Sequence, residues 1–421
     1  MLARRLLASA GGGTSFTPPP PPPAATYTLT SDPHGGWTIP NPAAYYHGGR
    51  TFIGWVNATD GSQEIAHYDH ATSTLSSIFT LASGLPDEGA TDTHNQPSVI
   101  ARSQDGKLVT AYSGHLDTRV RVRISSNVGD ATAWASEQVL DPGYGGVYTY
   151  AMLVQLRGLA NEPIYLFTRS IPNVGAQVGR LAYAVSTDGG ASWSSFSLLF
   201  TGGTLKVPYW TIISDYDTRI DVFTSSSGSS SDLYHFYFDG STAKTYQTDG
   251  TEITATRPFV VGDMTQVYNG SGSGGSFALG ASWDGTNASL CYVRLVSGGT
   301  DNDIWTARWR AGAWTRQQVV STVGGHHASN AYLPSANVMP FDEDRILIHA
   351  KVSGRYESFE YVTADDGASW SGTQLTSSST HDQMWVMPVF FSTGKMDWVW
   401  LDITYTSDTN FDAGIVAYGT G

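Results

Sequence analysis

The chain has 421 residues, of which 14% are charged and 12% aromatic, with 46 glycines and a formal net charge of −14. That acidity argues against a nucleic-acid partner, and no apolar run reaches the roughly 18 residues that a membrane-spanning helix needs. The single Cys291 excludes an intramolecular disulfide. What is left is an aromatic-rich, glycine-rich, charge-poor composition, which is typical of all-β repeat folds.

In chain order, residues 1–26 read as a flexible Gly/Pro-rich tail. The apolar stretch in MLARRLLASA is too short for a good signal peptide. The proline tract at 17–23 forms a polyproline II spacer, able to tether the rest of the chain to a larger assembly. An extracellular, virion-associated or cell-surface setting is expected on that ground. Residues 27–421 read as one β-propeller catalytic domain. Its period is set by turns of the form S/T-x-D-x-G-x-x-W, the Asp box, at 186–193 and 363–370, with a degenerate copy ending at Trp134. The closing tryptophans 134, 193 and 370 are separated by 59 and 177 residues, the second step three times the first. Internal repetition of this length is the mark of blades.

Seven four-stranded antiparallel blades fit that spacing. Blade one holds RTFIGWV and EIAHYDH. Blade two is the clearest, with a short strand in HNQPSVIA, an Asp-Gly hairpin turn, KLVTAYSG, and RVRVRIS with strict alternation. Blade three carries YTYAMLVQL, PIYLFTRS and RLAYAVS. Blades four to six follow with VPYWTIIS, SFALGASW and NAYLPSANVM as inner strands. Blade seven has QMWVMPVFF, MDWVWLDI and GIVAYG but no fourth strand. YTLTSD at 27–32 is expected to supply it and close the ring, which removes the exposed sheet edges. The glycine- and serine-rich region 249–275 fits no strand of this scheme.

In a propeller the inner strands start at one face and line a central funnel. The segments that lead into them carry His34, His94 and Asn95, Tyr148 and Tyr150, Tyr209 and Trp210, then His326, His327, Asn330 and Tyr332, and finally His381 and Trp385. His94 and His115 bracket one hairpin, so their imidazoles should meet at one rim. Arg169 ends the second strand of blade three and returns to the rim that holds Tyr148 and Tyr150. A guanidinium fixed there can grip a carboxylate with two hydrogen bonds. Arg119, Arg121 and Arg123 alternate along a third strand, where pairing at the surface or between blades is expected. There is no zinc motif, nucleophile elbow or phosphate loop. No cofactor is required, although His326, His327, His381 and Cys291 could hold a structural zinc or calcium ion.

DTHNQPSVIARSQDGKLVTAYSGH, a tyrosine-bearing inner strand, YLFTR, an Asp box and VPYWTI occur in that order. This series, clearest over about residues 90–215, resembles the BNR-repeat seven-bladed propellers that include the ulvan lyases. The resemblance implies a polysaccharide lyase acting on an anionic, uronate-containing and ulvan-like glycan by β-elimination. It puts proton transfer on His94 and Tyr150 and the uronate clamp on Arg169, with His115 and Tyr209 beside them. Tyr148 is an alternative to Tyr150, and Asn95, Trp210, His327 and Asn330 complete the expected substrate contacts. Net acidity means that attraction of such a substrate must be local. The rival readings are a sialidase-type hydrolase, which needs an arginine triad, and a non-catalytic glycan-binding propeller of a phage or surface protein.

Overall fold

The computed structural model describes residues 26–31, 35, 42–86, 91–172, 179–202, 208–226, 232–270, 275–296, 301–321, 323–324, 336–407 and 409–420. The strands fall into seven separate sheets of four or five strands, antiparallel apart from one short edge pair in blade three. They are the seven blades, in chain order. The innermost strands are Ala44–His47, Ser98–Ala101, Val147–Gln155, Pro208–Ser214, Ser276–Trp283, Ala336–Met339 and Asp382–Pro388. Buried residues dominate these strands because each lies between its own blade and its neighbours. Alternate side chains of the second and third strands fill the spaces between blades, so the core is a ring of interblade layers.

The ring closes as expected. Thr26–Thr30 pairs with Asn410–Tyr418, opposing Thr26 to Tyr418 and Thr28 to Val416. Tyr27 on the closing strand meets Tyr68 of blade one with ring centroids 5.5 Å apart, and a bridge between Tyr45 and Phe390 joins blade one to blade seven again.

Both full Asp boxes join the third and fourth strands of their blades. Asp188 Oδ1 accepts from the Ser186 hydroxyl and the Ser192 amide, each at 2.8 Å. Asp365 repeats the pattern with Thr363 at 2.7 Å and Ser369 at 2.8 Å. Trp134, Trp193 and Trp370 pack from these turns into the interblade layers.

Region 249–275 departs from the simple scheme. Phe259–Val260 runs parallel to Ser197–Thr201 and widens blade three. Thr265–Tyr268 pairs with the first half of Leu233–Asp239, whose second half is taken by Lys244–Tyr246. The fourth strand of blade four is therefore split in two, because Lys244–Tyr246 is too short to satisfy the whole edge. No alternating pattern marks such short pieces.

Candidate functional site

The site begins at the turn that leads into blade two. Asp92 caps a single 3-10 turn, Thr93–Asn95, and its Oδ1 accepts the His94 backbone N–H at 2.9 Å. The same oxygen takes a hydrogen bond from His94 Nδ1, and Oδ2 takes one from His115 Nδ1 at 2.9 Å. One wholly buried carboxylate thus holds both imidazoles. Their rings stack with centroids 4.3 Å apart and planes 16° off parallel. The meeting expected from the two ends of the hairpin is present.

Asp92 is the residue that the sequence reasoning missed. Its signal was Asp two positions before His94, a spacing that lets a carboxylate cap the turn and reach the histidine ring together.

Arg169 Nη2 lies 3.3 Å from His115 Nε2. With Nδ1–H donated to Asp92, Nε2 accepts from the guanidinium, so His115 is the neutral tautomer with its proton on Nδ1. Burial, together with the nearness of His94 and Arg169, holds its pKa below the usual histidine value against the raising pull of Asp92.

Blade three supplies the rest. Register places Thr149 opposite Arg169, and a bulge then interrupts the pairing between Thr149 and Met152. Tyr150 sits in the bulge at φ +57°, a conformation that tyrosine adopts only under local constraint. The Arg169 guanidinium carbon lies 4.3 Å from the Tyr150 ring centroid and 5.2 Å from that of Tyr209 in blade four. His94 and Tyr150 have centroids 5.7 Å apart, Tyr150 and Tyr209 6.0 Å. His94, His115, Tyr150, Arg169 and Tyr209 therefore form one cluster across blades two, three and four.

The bulge separates the two tyrosines. Tyr148 sits in regular pairing opposite Ser170, its hydroxyl accepting the Tyr144 amide at 3.0 Å. Its hydrogen bonds lie outside the cluster, with the Tyr144 amide and the Gly145 carbonyl. Trp210 lies apart from the cluster. As the alternate of Tyr209 it points the other way, buried against Phe200 of blade three. Asn95 is buried within the 3-10 turn beside His94. His327 and Asn330 lie outside the described residues, as do His34, His326 and Tyr332. His381 pairs with Asp402 at 3.5 Å in blade seven. The three arginines of the third strand pair locally, Arg121 with Asp117 and Glu137 and Arg119 with Asp141, while Arg123 donates to Tyr112.

Of the metal set considered from sequence, His326 and His327 lie outside the described residues, and His381 is paired with Asp402. Cys291 is buried in the core of blade five, its thiol pKa raised by burial. The donor atoms of Asp92, His94 and His115 do lie within 4.8 Å of one another, a spacing compatible with a metal ion. Both Nδ1 atoms are already turned on Asp92, and the other nitrogen of His115 faces a guanidinium.

Fold and site together define a class: a seven-bladed β-propeller with Asp-box turns and a buried acid–imidazole–guanidinium cluster where the inner strands begin. The chain belongs to the BNR repeat-containing family, whose sequence pattern it matches over residues 50–322. A search of curated proteins finds no sequence match. Among solved structures the chain is similar to a family PL25 ulvan lyase bound to -[GlcA(1-4)Rha3S]-, with a TM-score of 0.74 at 15% identity over 94% of this chain and 96% of that one. It is also similar to the polysaccharide lyase Uly1, with a TM-score of 0.56 at 12% identity over 90% of each chain. A third likeness is to the BP39L lectin from Burkholderia pseudomallei, with a TM-score of 0.53 at 12% identity over 93% of this chain and 98% of that one.

Proposed function

We propose that the protein is a polysaccharide lyase that cleaves a uronate-containing anionic glycan by β-elimination, with the His94 cluster as its active site. The observation that carries this reading is the grouping of an imidazole, a phenol and a guanidinium beside Asp92, with Arg169 4.3 Å over the Tyr150 ring and the His94 and Tyr150 rings 5.7 Å apart. The reaction needs these three functions. The uronate carboxylate must be neutralised so that C5 becomes acidic enough to lose its proton, and Arg169 supplies the fixed positive charge. A base removes the C5 proton, an acid protonates the departing O4, and a C4–C5 double bond remains. His94 and Tyr150 share these two transfers. His94 keeps Nδ1 on Asp92, which leaves Nε2 as its proton-exchanging atom. His115 orients Arg169 through Nε2 and is a positioning residue.

The described cluster contains one arginine, which disfavours the hydrolase reading with its arginine triad. The likeness to a lectin keeps a second reading in play, in which the same mouth binds glycan without chemistry. Ultraviolet absorbance separates the two, because only elimination makes the conjugated 4,5-unsaturated uronate. On a panel of uronate polymers, His94→Ala, Tyr150→Phe and Arg169→Ala should each fold normally and lose about 10²–10⁴-fold in turnover. Tyr148→Phe should stay near wild type. Absence of unsaturated product from the wild-type chain on every polymer, or normal turnover by both His94→Ala and Tyr150→Phe, would overturn the proposal.

A further inference from the structure

We propose that the outer wall between blades four and five is a second binding groove, which takes a distal stretch of the same acidic polysaccharide. The proposal rests on the anionic-glycan reading above. Its chemistry is written in the alternation of blade five. Ala288–Leu295 carries Tyr292 and Arg294, Asn302–Arg310 carries Trp305 and Trp309, and Ala313–Val320 carries Trp314 and Arg316. Register sets Tyr292 opposite Trp305 and Trp309 opposite Trp314, so these side chains share one face of the sheet. Tyr268, from the split fourth strand of blade four, faces them across the gap.

Two clefts of about 340 and 400 Å³ result, with Tyr268, Trp314 and Arg316 common to both. Each lies within the size range of ordinary ligand sites. Trp305 lines the first and Trp309 the second. All three tryptophans are only half-buried, whereas Trp55, Trp398 and Trp400 are wholly buried in the core. Trp314 also braces the blades, with its ring 5.7 Å from Phe223 and 5.4 Å from His235. Bracing does not account for the arginines. Arg294 lies 4.8 Å over Trp305, with Asp303 at 3.4 Å. Arg316 is exposed, lies 5.2 Å over Tyr268, and meets no carboxylate among the described residues.

In a chain of net charge −14, a guanidinium placed over an aromatic ring without a carboxylate partner is a local positive site. Sugar rings present an apolar face that packs on indole, while uronate or sulfate groups pair with guanidinium. Arg294 stands one residue before the end of its strand, so this end of the groove lies toward the face that carries the His94 cluster. A polymer held there would raise the effective concentration of its own bonds at the funnel.

The test uses the full chain. Mobility is measured in gels containing polygalacturonate, alginate or ulvan, in a His94→Ala background so that the polymer stays intact. Retention in at least one acidic polymer is expected, weakened about tenfold by Arg316→Glu and restored by Arg316→Lys. Trp305→Ala should weaken it similarly. With His94 restored, Arg316→Glu should raise KM for the polymer and leave kcat and the kinetics on short oligosaccharides unchanged. If the wild type cleaves a polymer but Arg316→Glu alters neither retention nor KM, the groove is refuted and the lyase reading stands. If nothing is cleaved but retention depends on Arg316, the groove stands and the lyase reading falls. Equal retention in neutral dextran, Arg316-dependent self-association in place of glycan binding, or no retention in any acidic polymer overturns the groove.

Discussion

Asp92→Asn is the sharpest perturbation of the candidate site, because one carboxylate holds two imidazoles and a backbone amide. Asparagine keeps the shape and one acceptor oxygen. Its amide nitrogen, however, is a donor, and it meets the Nδ1–H of whichever histidine it faces. That histidine must move its proton to Nε2. For His115 this sets donor against donor at Arg169, now 3.3 Å away, and frees the guanidinium from its present orientation. Losing one hydrogen bond to a buried charged group costs about 1.5–3 kcal/mol of stability. Turnover should fall about 10²–10⁴-fold, because both the proton-transfer imidazole and the carboxylate clamp lose their alignment. Urea denaturation measures the first effect, and ultraviolet product formation per folded molecule the second. A variant that loses stability but keeps full turnover would make Asp92 a structural brace, and stability within about 0.5 kcal/mol of wild type would refute the hydrogen-bond reasoning itself.

Deleting residues 1–32 should lower the thermal midpoint on the order of 5 °C by unpairing Asn410–Tyr418; deleting 1–24 should not, and equal midpoints would contradict closure by this strand. Asp188→Ala should cost about 1 kcal/mol through lost turn hydrogen bonds and leave activity intact. Loss of activity in the folded variant would show that the Asp box bears on the site. Burial lowers the pKa of His47, His67, His70, His115 and His235. The unfolded chain therefore binds more protons than the folded one below about pH 6.5, so stability should fall as pH drops from about 7 toward 5. Urea midpoints that stay flat or rise over that window would refute the assignment of these histidines as neutral in the folded chain.

Much of this architecture is legible in the sequence because a propeller repeats its grammar. Asp188 and Asp365 announce turns in which each aspartate accepts from residues of its own turn, so eight residues suffice to recognise each. Asn410–Tyr418 lacks an outer partner in its own blade, and that defect predicts the role of Thr26–Thr30. The site is legible wherever it follows from hairpin geometry: His94 with His115, and Arg169 returning to the rim of blade three. It becomes opaque where one residue breaks the alternation. Strict period two would put Tyr148 and Tyr150 on one face; the bulge after Thr149 instead keeps Tyr148 against Tyr144 and turns Tyr150 under Arg169. No local composition marks that bulge, since it arises from packing between blades. The same bulge recurs between Met384 and Met387, with Trp385 at φ +52°. Two blades of this ring thus hold an aromatic residue in a strained conformation on the innermost strand, and in one of them a guanidinium and a histidine converge on it. Strain of this kind persists only where its surroundings enforce it. In blade three those surroundings are Arg169, His94 and Tyr209, which is the reason to place the chemistry at Tyr150 and not at its neighbour two residues away.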